Sequence, residues 1–179
     1  MYFFLFPGSG GTGKSYLINV FTQWCQKILT KPGDNPDQPK ILLMAFTGIA
    51  ASQIGGCTLH TALGLKFGTE CLPLGDEQRA KLRKRYEHLK VVIIDELSMI
   101  SSDVLYNINK RLQEIMGCLD PFGNIAVVLF GDVLQLPPVK ACQIFLSPSY
   151  RNVHHRALFQ SEENLWNNFE VICLIKQKH

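Results

Sequence analysis

Long apolar runs are missing from this chain: no stretch approaches the ~18–20 apolar residues that a helix needs to cross a bilayer. The apolar opening, Tyr2 to Phe6, is too short for a secretory signal and has no basic flank. Paired cysteines are missing too. The six cysteines stand at 25, 57, 71, 118, 142 and 173, and none falls in a C-x-x-C pair, so the spacing suggests neither a zinc knuckle nor a dithiol redox motif. Apolar surroundings, such as those of Cys173 within residues 171–175, point instead to buried free thiols in a reducing compartment. Charge is sparse, at 18% of residues with a formal balance of +3. Such a balance permits a polyanionic partner without arguing for one. Internal repeats and low-complexity tracts are absent as well. These absences leave an intracellular, soluble globular protein with no membrane partner as the expectation.

What is present is enough for one domain: 179 residues, 46% of them hydrophobic. Short apolar runs alternate with amphipathic stretches, the pattern of a parallel α/β sheet. Strands are expected at Tyr2–Phe6, Ile41–Phe46, Val91–Ile94, Ile125–Phe130 and Glu170–Leu174, each a nearly continuous apolar run suited to burial on both faces. A helix is expected from Lys14 to Leu29, with Leu17, Ile18, Phe21, Trp24, Cys25 and Ile28 at helical spacing. A second runs from Asp103 to Met116, with Val104, Leu105, Ile108, Leu112 and Ile115 on one stripe; Ser101 or Ser102 can cap it and Gly117 can end it. Residues 31–39, with three prolines and a glycine, read as a surface connection.

Residues 8–15 read GSGGTGKS, a complete G-x-x-x-x-G-K-S between an apolar strand and a helix. The glycines Gly8, Gly10, Gly11 and Gly13, with Ser9 and Thr12, let successive backbone N–H groups turn inward around phosphates. Lys14 can then reach the β- and γ-phosphates of ATP, and the Ser15 hydroxyl can ligate Mg²⁺. Residues 91–96, VVIIDE, place Asp95 and Glu96 at the carboxyl end of a strand, where open α/β sheets bind ligands. Asp95 is suited to holding Mg²⁺ through water, and Glu96 to orienting and deprotonating an attacking water. A lone Gln135, in the loop after the strand ending at Phe130, can hydrogen-bond a γ-phosphate but is more often simply exposed.

Taken together, GSGGTGKS, AFTGIAAS (45–52), GGCTLHTALGL (55–65), VVIIDELSMIS (91–101) and GDVLQLPPV (131–139) resemble the Pif/RecD-like branch of superfamily 1 DNA helicases, in order and spacing across about 130 residues. The resemblance implies a P-loop NTPase with a RecA-like parallel sheet, helices on both faces, and the strand before Asp132 lying between those before Gly8 and Asp95. It implies Lys14 and Ser15 in the ATP and Mg²⁺ site, Asp95 on Mg²⁺, Glu96 as catalytic base and Gln135 as γ-phosphate sensor. Thr47 and Gly48 resemble one segment that contacts single-stranded DNA, and Thr58, Leu59 and His60 a second; His60 taken alone reads better as a satisfied histidine. The implied activity is ATP-driven 5′-to-3′ unwinding at single-strand/duplex junctions, in repair, recombination and telomere maintenance. The nucleus is the first expected compartment and the mitochondrion the second, with a monomer as the expected state.

The resemblance covers the first of two motor domains, so residues 1–179 are expected to be one RecA-like ATPase unit without its partner domain. An arginine on the γ-phosphate is expected just beyond His179, and such a group contributes ~10³–10⁵ in rate. These residues alone are thus expected to bind ATP and single-stranded DNA weakly, to hydrolyse slowly and not to unwind. A nucleotide-dependent DNA-binding module without motor activity and a P-loop kinase are the alternatives; Glu96 and the Thr58–His60 segment speak against the kinase. The basic cluster Arg79, Lys81, Arg83, Lys84, Arg85 and Lys90 reads as a solvated helix face rather than a nucleic-acid contact. His154–His155–Arg156 lacks metal-ligand companions, and Trp166 and Phe169 read as core anchors.

Overall fold

The computed structural model describes residues 2–66, 71–132, 144 and 165–173. Its strands are β1 (Phe3–Pro7), β2 (Ile41–Ala45), β3 (Cys57–Thr58), β4 (Val91–Asp95), β5 (Ala126–Gly131) and β6 (Glu170–Val171). They form one sheet in the order β3–β2–β4–β5–β1–β6, with every pairing parallel. β5 therefore lies between β1 and β4, as the resemblance implies. The helices are α1 (Lys14–Leu29), α2 (Gly48–Gln53), α3 (Leu59–Leu63), α4 (Asp76–Arg85) and α5 (Ser102–Met116).

Burial on both faces explains why the central strands lack polar alternation. Along β4, Ile93 faces the cluster under α1 and α2, while Val92 and Ile94 face the larger core under α3, α4 and α5. β5 repeats this, with Val128 and Phe130 on one side and Val127 and Leu129 on the other. All of these side chains are at most 2% exposed. Each contributes roughly 1.5–3 kcal/mol of transfer free energy.

The helix ends follow from local chemistry. Ser101 Oγ accepts from Val104 N–H to start α5, and Gly117 closes it in the left-handed conformation. Asn109, buried inside α5, accepts from Phe122 N–H at 2.6 Å and fixes the turn that feeds β5. Arg111 is also buried; it pairs with Glu114 and donates to Leu72 O, pinning the connection that leads to α4.

Three expectations need correction. Trp24 and Ile28, read at helical spacing with the apolar residues of α1, are 59% and 57% exposed, because the sheet buries Ile18, Thr22 and Cys25, with Leu17 and Phe21 packed beside them. Cys173 is exposed rather than buried, since it follows an edge strand of two residues that pairs only with β1; Cys25 alone among the described free cysteines is fully buried. Of the expected strand Glu170–Leu174, only Glu170–Val171 pair as β6 among the described residues, and both are exposed. By contrast, Phe169 is buried against Phe3 and Phe122, with Trp166 packed beside it, as core anchors should be. The pair His154–His155 and Cys142 lie outside the described residues.

Two features of this packing carry measurable consequences. A Cβ on Gly131 would stand 2.5 Å from both Leu97 Cβ and Leu97 N, so β5 can meet the turn after β4 only through glycine. Gly131→Ala should cost about 1–3 kcal/mol as these elements are forced apart, read as a lower denaturant midpoint; an unchanged midpoint contradicts that close approach. Tyr86, fully buried, donates its hydroxyl to Ala62 O at 2.9 Å, and burial pushes its pKa from 10.0 up to about 12. Its contribution is therefore complete below pH 10 and is lost as the pH rises towards about 12. Tyr86→Phe should cost about 1–3 kcal/mol at neutral pH, through the orphaned carbonyl. It should also lose less stability than the wild type between pH 9 and 12. Parallel denaturation curves for the two proteins across that range provide the check.

Candidate functional site

The carboxyl edge of the sheet gathers the ends of β1, β2, β4 and β5. From β1 the chain enters the Gly8–Ser15 loop, and Gly8 N–H donates to Gly131 O at 2.9 Å, fastening the loop to the end of β5. Gly13 caps α1 with φ of 81°, a left-handed conformation that glycine adopts without a Cβ penalty. Thr12 holds the loop from within, donating its hydroxyl to Ser9 O at 2.8 Å. Gly10 and Gly11 complete the bend, with nothing within 4 Å of where a Gly10 Cβ would stand.

Lys14 folds back over the loop, its Nζ donating to Gly8 O at 2.6 Å and Ser9 O at 2.9 Å. The ammonium is thus carried by the loop at the position where the motif needs it. Ser15 follows in the first turn of α1, at the helix end that favours anions.

Asp95 ends β4, and its Oδ1 accepts from the Glu96 N–H at 2.8 Å. Burial raises its pKa above the usual carboxylate range; the Glu96 N–H and the Lys14 charge oppose that, and the Glu96 charge adds to it. Burial dominates. Gly8, at the base of the loop, donates to Gly131 O, and Gly131 stands against Leu97 in the turn after Glu96, so the loop and the β4 acids meet at one edge of the sheet. Glu96 adopts φ of 66° and ψ of 44°, a left-handed conformation unusual for a residue with a side chain. The turn Leu97–Met99 follows it immediately.

Ser15 and Asp95 offer hard oxygen ligands, and no group of three or more His, Cys, Asp or Glu among the described residues could cage a metal alone. That donor set fits Mg²⁺, which typically takes one or two protein oxygens and completes its shell with phosphates and water.

The Thr47 side chain lies closer to this chemistry than sequence reasoning placed it. Its hydroxyl donates to Glu96 Oε2 at 2.8 Å, and its N–H reaches the same oxygen at 3.1 Å. The signal for this was available only in three dimensions, since 49 residues separate the pair. Gly48 opens α2 beside it with open space around its Cα.

The second expected DNA segment divides. Thr58 caps α3, its hydroxyl accepting from Thr61 N–H at 3.2 Å. Leu59 is fully buried, its side chain filling the core beneath α3, so only its backbone is left to meet a strand. His60 is half-buried, packed edge-on against Phe46, and burial lowers its pKa. Gln135 lies outside the described residues. The three arginines of α4 make contacts within the fold: Arg79 pairs with Asp76, Arg83 donates to Glu114 O and Arg85 lies over the Tyr86 ring.

Comparison with known proteins gives this geometry its relatives. The family model described as PIF1-like helicase matches residues 1–178. The ATP-dependent DNA helicase PIF1 of Emericella nidulans is 38% identical over 137 residues, which are 75% of this chain and 18% of that protein. This chain therefore spans only about a fifth of the length of that relative. The crystal structure of Pif1 helicase from Candida albicans superposes with a TM-score of 0.71 at 26% identity, covering 97% of this chain and 36% of that one. Pif1 helicase from Bacteroides, in complex with ADP-AlF3 and ssDNA, gives 0.61 at 26% identity over 98% of this chain and 38% of that one. In fold the chain is an α/β, RecA-like P-loop domain. The chain belongs to the PIF1-like helicase family.

Proposed function

We propose that this chain is the ATP-binding and hydrolysing motor domain of an ATP-dependent DNA helicase. The observation that carries this reading is the placing of the Gly8–Ser15 loop and the Asp95–Glu96 pair at the carboxyl edge of one parallel sheet, joined through Gly131 at the end of β5. Gly8 to Ser15 cradle the phosphates through backbone N–H groups and the Lys14 ammonium. Ser15 and Asp95 would hold Mg²⁺, which when bound neutralises charge on the β- and γ-phosphates. Glu96 accepts the proton of the attacking water, and Gln135 is assigned to the γ-phosphate.

Family membership supports DNA as the partner, and the Bacteroides relative is described with single-stranded DNA and a nucleotide analogue together. Thr47, Gly48, Thr58 and His60 are assigned to the DNA strand, with Leu59 supplying at most its backbone. The finer reading is 5′-to-3′ movement from single strand into duplex junctions, by a monomer acting in repair, recombination and telomere maintenance, in the nucleus or the mitochondrion. No helix among the described residues is long and apolar enough to cross a membrane.

Glu96→Gln should keep ATP binding and lower turnover by about 10²–10⁴, the usual contribution of a general base. Lys14→Ala should weaken both. Fluorescent-nucleotide binding and steady-state phosphate release measure the two effects separately. Wild-type turnover in E96Q would remove Glu96 from its role as base, and absence of phosphate release by the wild type would remove the hydrolase reading.

A further inference from the structure

We propose that Thr47 is the positioning residue for Glu96, and that a DNA phosphodiester and the Glu96 carboxylate compete for the same two donors. The proposal rests on the hydrolase reading above and specifies how its site is regulated.

The count of hydrogens makes the argument. The Thr47 hydroxyl has one proton, and that proton goes to Glu96 Oε2 at 2.8 Å. A lone pair of the same hydroxyl accepts from Ala50 N–H at 3.3 Å, which orients the proton away from α2 and towards β4. The Thr47 N–H, also a single donor, ends on the same Oε2 at 3.1 Å. Both donors of Thr47 are therefore spent on one carboxylate oxygen, and both lone pairs of that oxygen are committed in return. With Oε2 so engaged, only Oε1 is left to take a proton from water, and it can do so only from where the two Thr47 bonds hold the carboxylate.

Half-buried Thr47 borders an open edge formed by the two residues that follow it. Nothing lies within 4 Å of where a Gly48 Cβ would stand, and the neighbouring Ile49 is 77% exposed. A phosphodiester approaching there is an anion of the same hydrogen-bonding class as the carboxylate it displaces. Sheet geometry keeps the exchange local. β2 and β4 pair in register with Ala45 opposite Asp95, so Thr47 and Glu96 leave adjacent strands within two residues of that pair. DNA engagement thus releases Glu96 towards the nucleotide, and Glu96 left without DNA stays restrained.

Two arms test this in the protein that carries the chain. The first measures ATP turnover with and without saturating oligo-dT. Thr47→Val, which keeps shape and N–H but lacks the hydroxyl, should raise DNA-free kcat and bring the ratio of stimulated to basal kcat close to one. The KM for ATP should stay within about twofold. Thr47→Ser should retain the wild-type ratio. The second arm measures oligo-dT affinity without nucleotide, and it stands even if T47V fails to fold. Coupling between sites is reciprocal, so Glu96→Ala should bind DNA about five- to tenfold more tightly than the wild type. Glu96→Gln, which loses the charge but keeps an accepting oxygen, should tighten binding less than E96A. If T47V weakens DNA binding yet preserves the stimulation ratio, Thr47 is a contact and not a restraint. An E96A affinity equal to that of the wild type, or equal to that of E96Q, overturns the proposal as well. Neither result touches the hydrolase reading, which fails only if the wild type releases no phosphate from ATP.

Discussion

Parallel pairing of three strands sets the geometry on which the rest depends. β1 pairs with β5 from Phe3↔Val127 to Pro7↔Gly131, and β5 pairs with β4 from Val91↔Ala126 to Ile94↔Leu129. Adjacent strands lie ~4.8 Å apart, so two spacings put the exits of β1 and β4 roughly 10 Å apart. That gap suits a phosphate chain on one side and its attacking water on the other. No side chain needs to reach across it, because the strand ends deliver Lys14 and Asp95 to the same edge. The apolar layers above and below β4 and β5 keep this spacing rigid, since a parallel sheet of this kind tolerates neither a void nor a slip of register.

Within that frame, β5 acts as a spacer whose end must stay thin. Gly131 lies against Leu97, and its carbonyl receives Gly8 N–H from the other side. One residue thereby ties the phosphate loop to the turn after the acids. A change that thickens β5 there moves both halves of the site at once. This is why the glycine belongs to the nucleotide chemistry although it carries no functional group.

Much of the fold was legible because its determinants are local. Val91–Ile94 and Ile125–Phe130 could only be strands buried on both faces, and the Val104–Ile115 stripe could only be one helix against a core. The phosphate loop was legible because its glycines and lysine are contiguous. What escaped depends on contacts between distant segments. The two-residue β3 exists only because Met44 and Ala45 pair with Cys57 and Thr58. Trp24 sits at helical spacing with Ile18 and Phe21, yet spacing alone does not say how wide a stripe the sheet will cover. Leu59 was assigned to DNA through the motif around it, and the core claimed its side chain because α3 is a single turn packed directly on the sheet.

The pairing of Thr47 with Glu96 belongs to the same long-range class, and it gives a physical reason for the conformation of Glu96. A left-handed residue with a side chain costs of order 1–3 kcal/mol and persists only where its surroundings hold it there. Here the carboxylate accepts two hydrogen bonds from Thr47, and the N–H of the same residue is taken by Asp95 Oδ1. Hydrogen bonds to charged groups are worth about 1.5–3 kcal/mol each, enough to offset the backbone strain. Removing the Thr47 bonds leaves the strain without its compensation, so the side chain then has both the freedom and the driving force to move. A carboxylate held in this way ties the end of β4 to the segment after β2 through hydrogen bonds, with no need for a large rearrangement of the sheet.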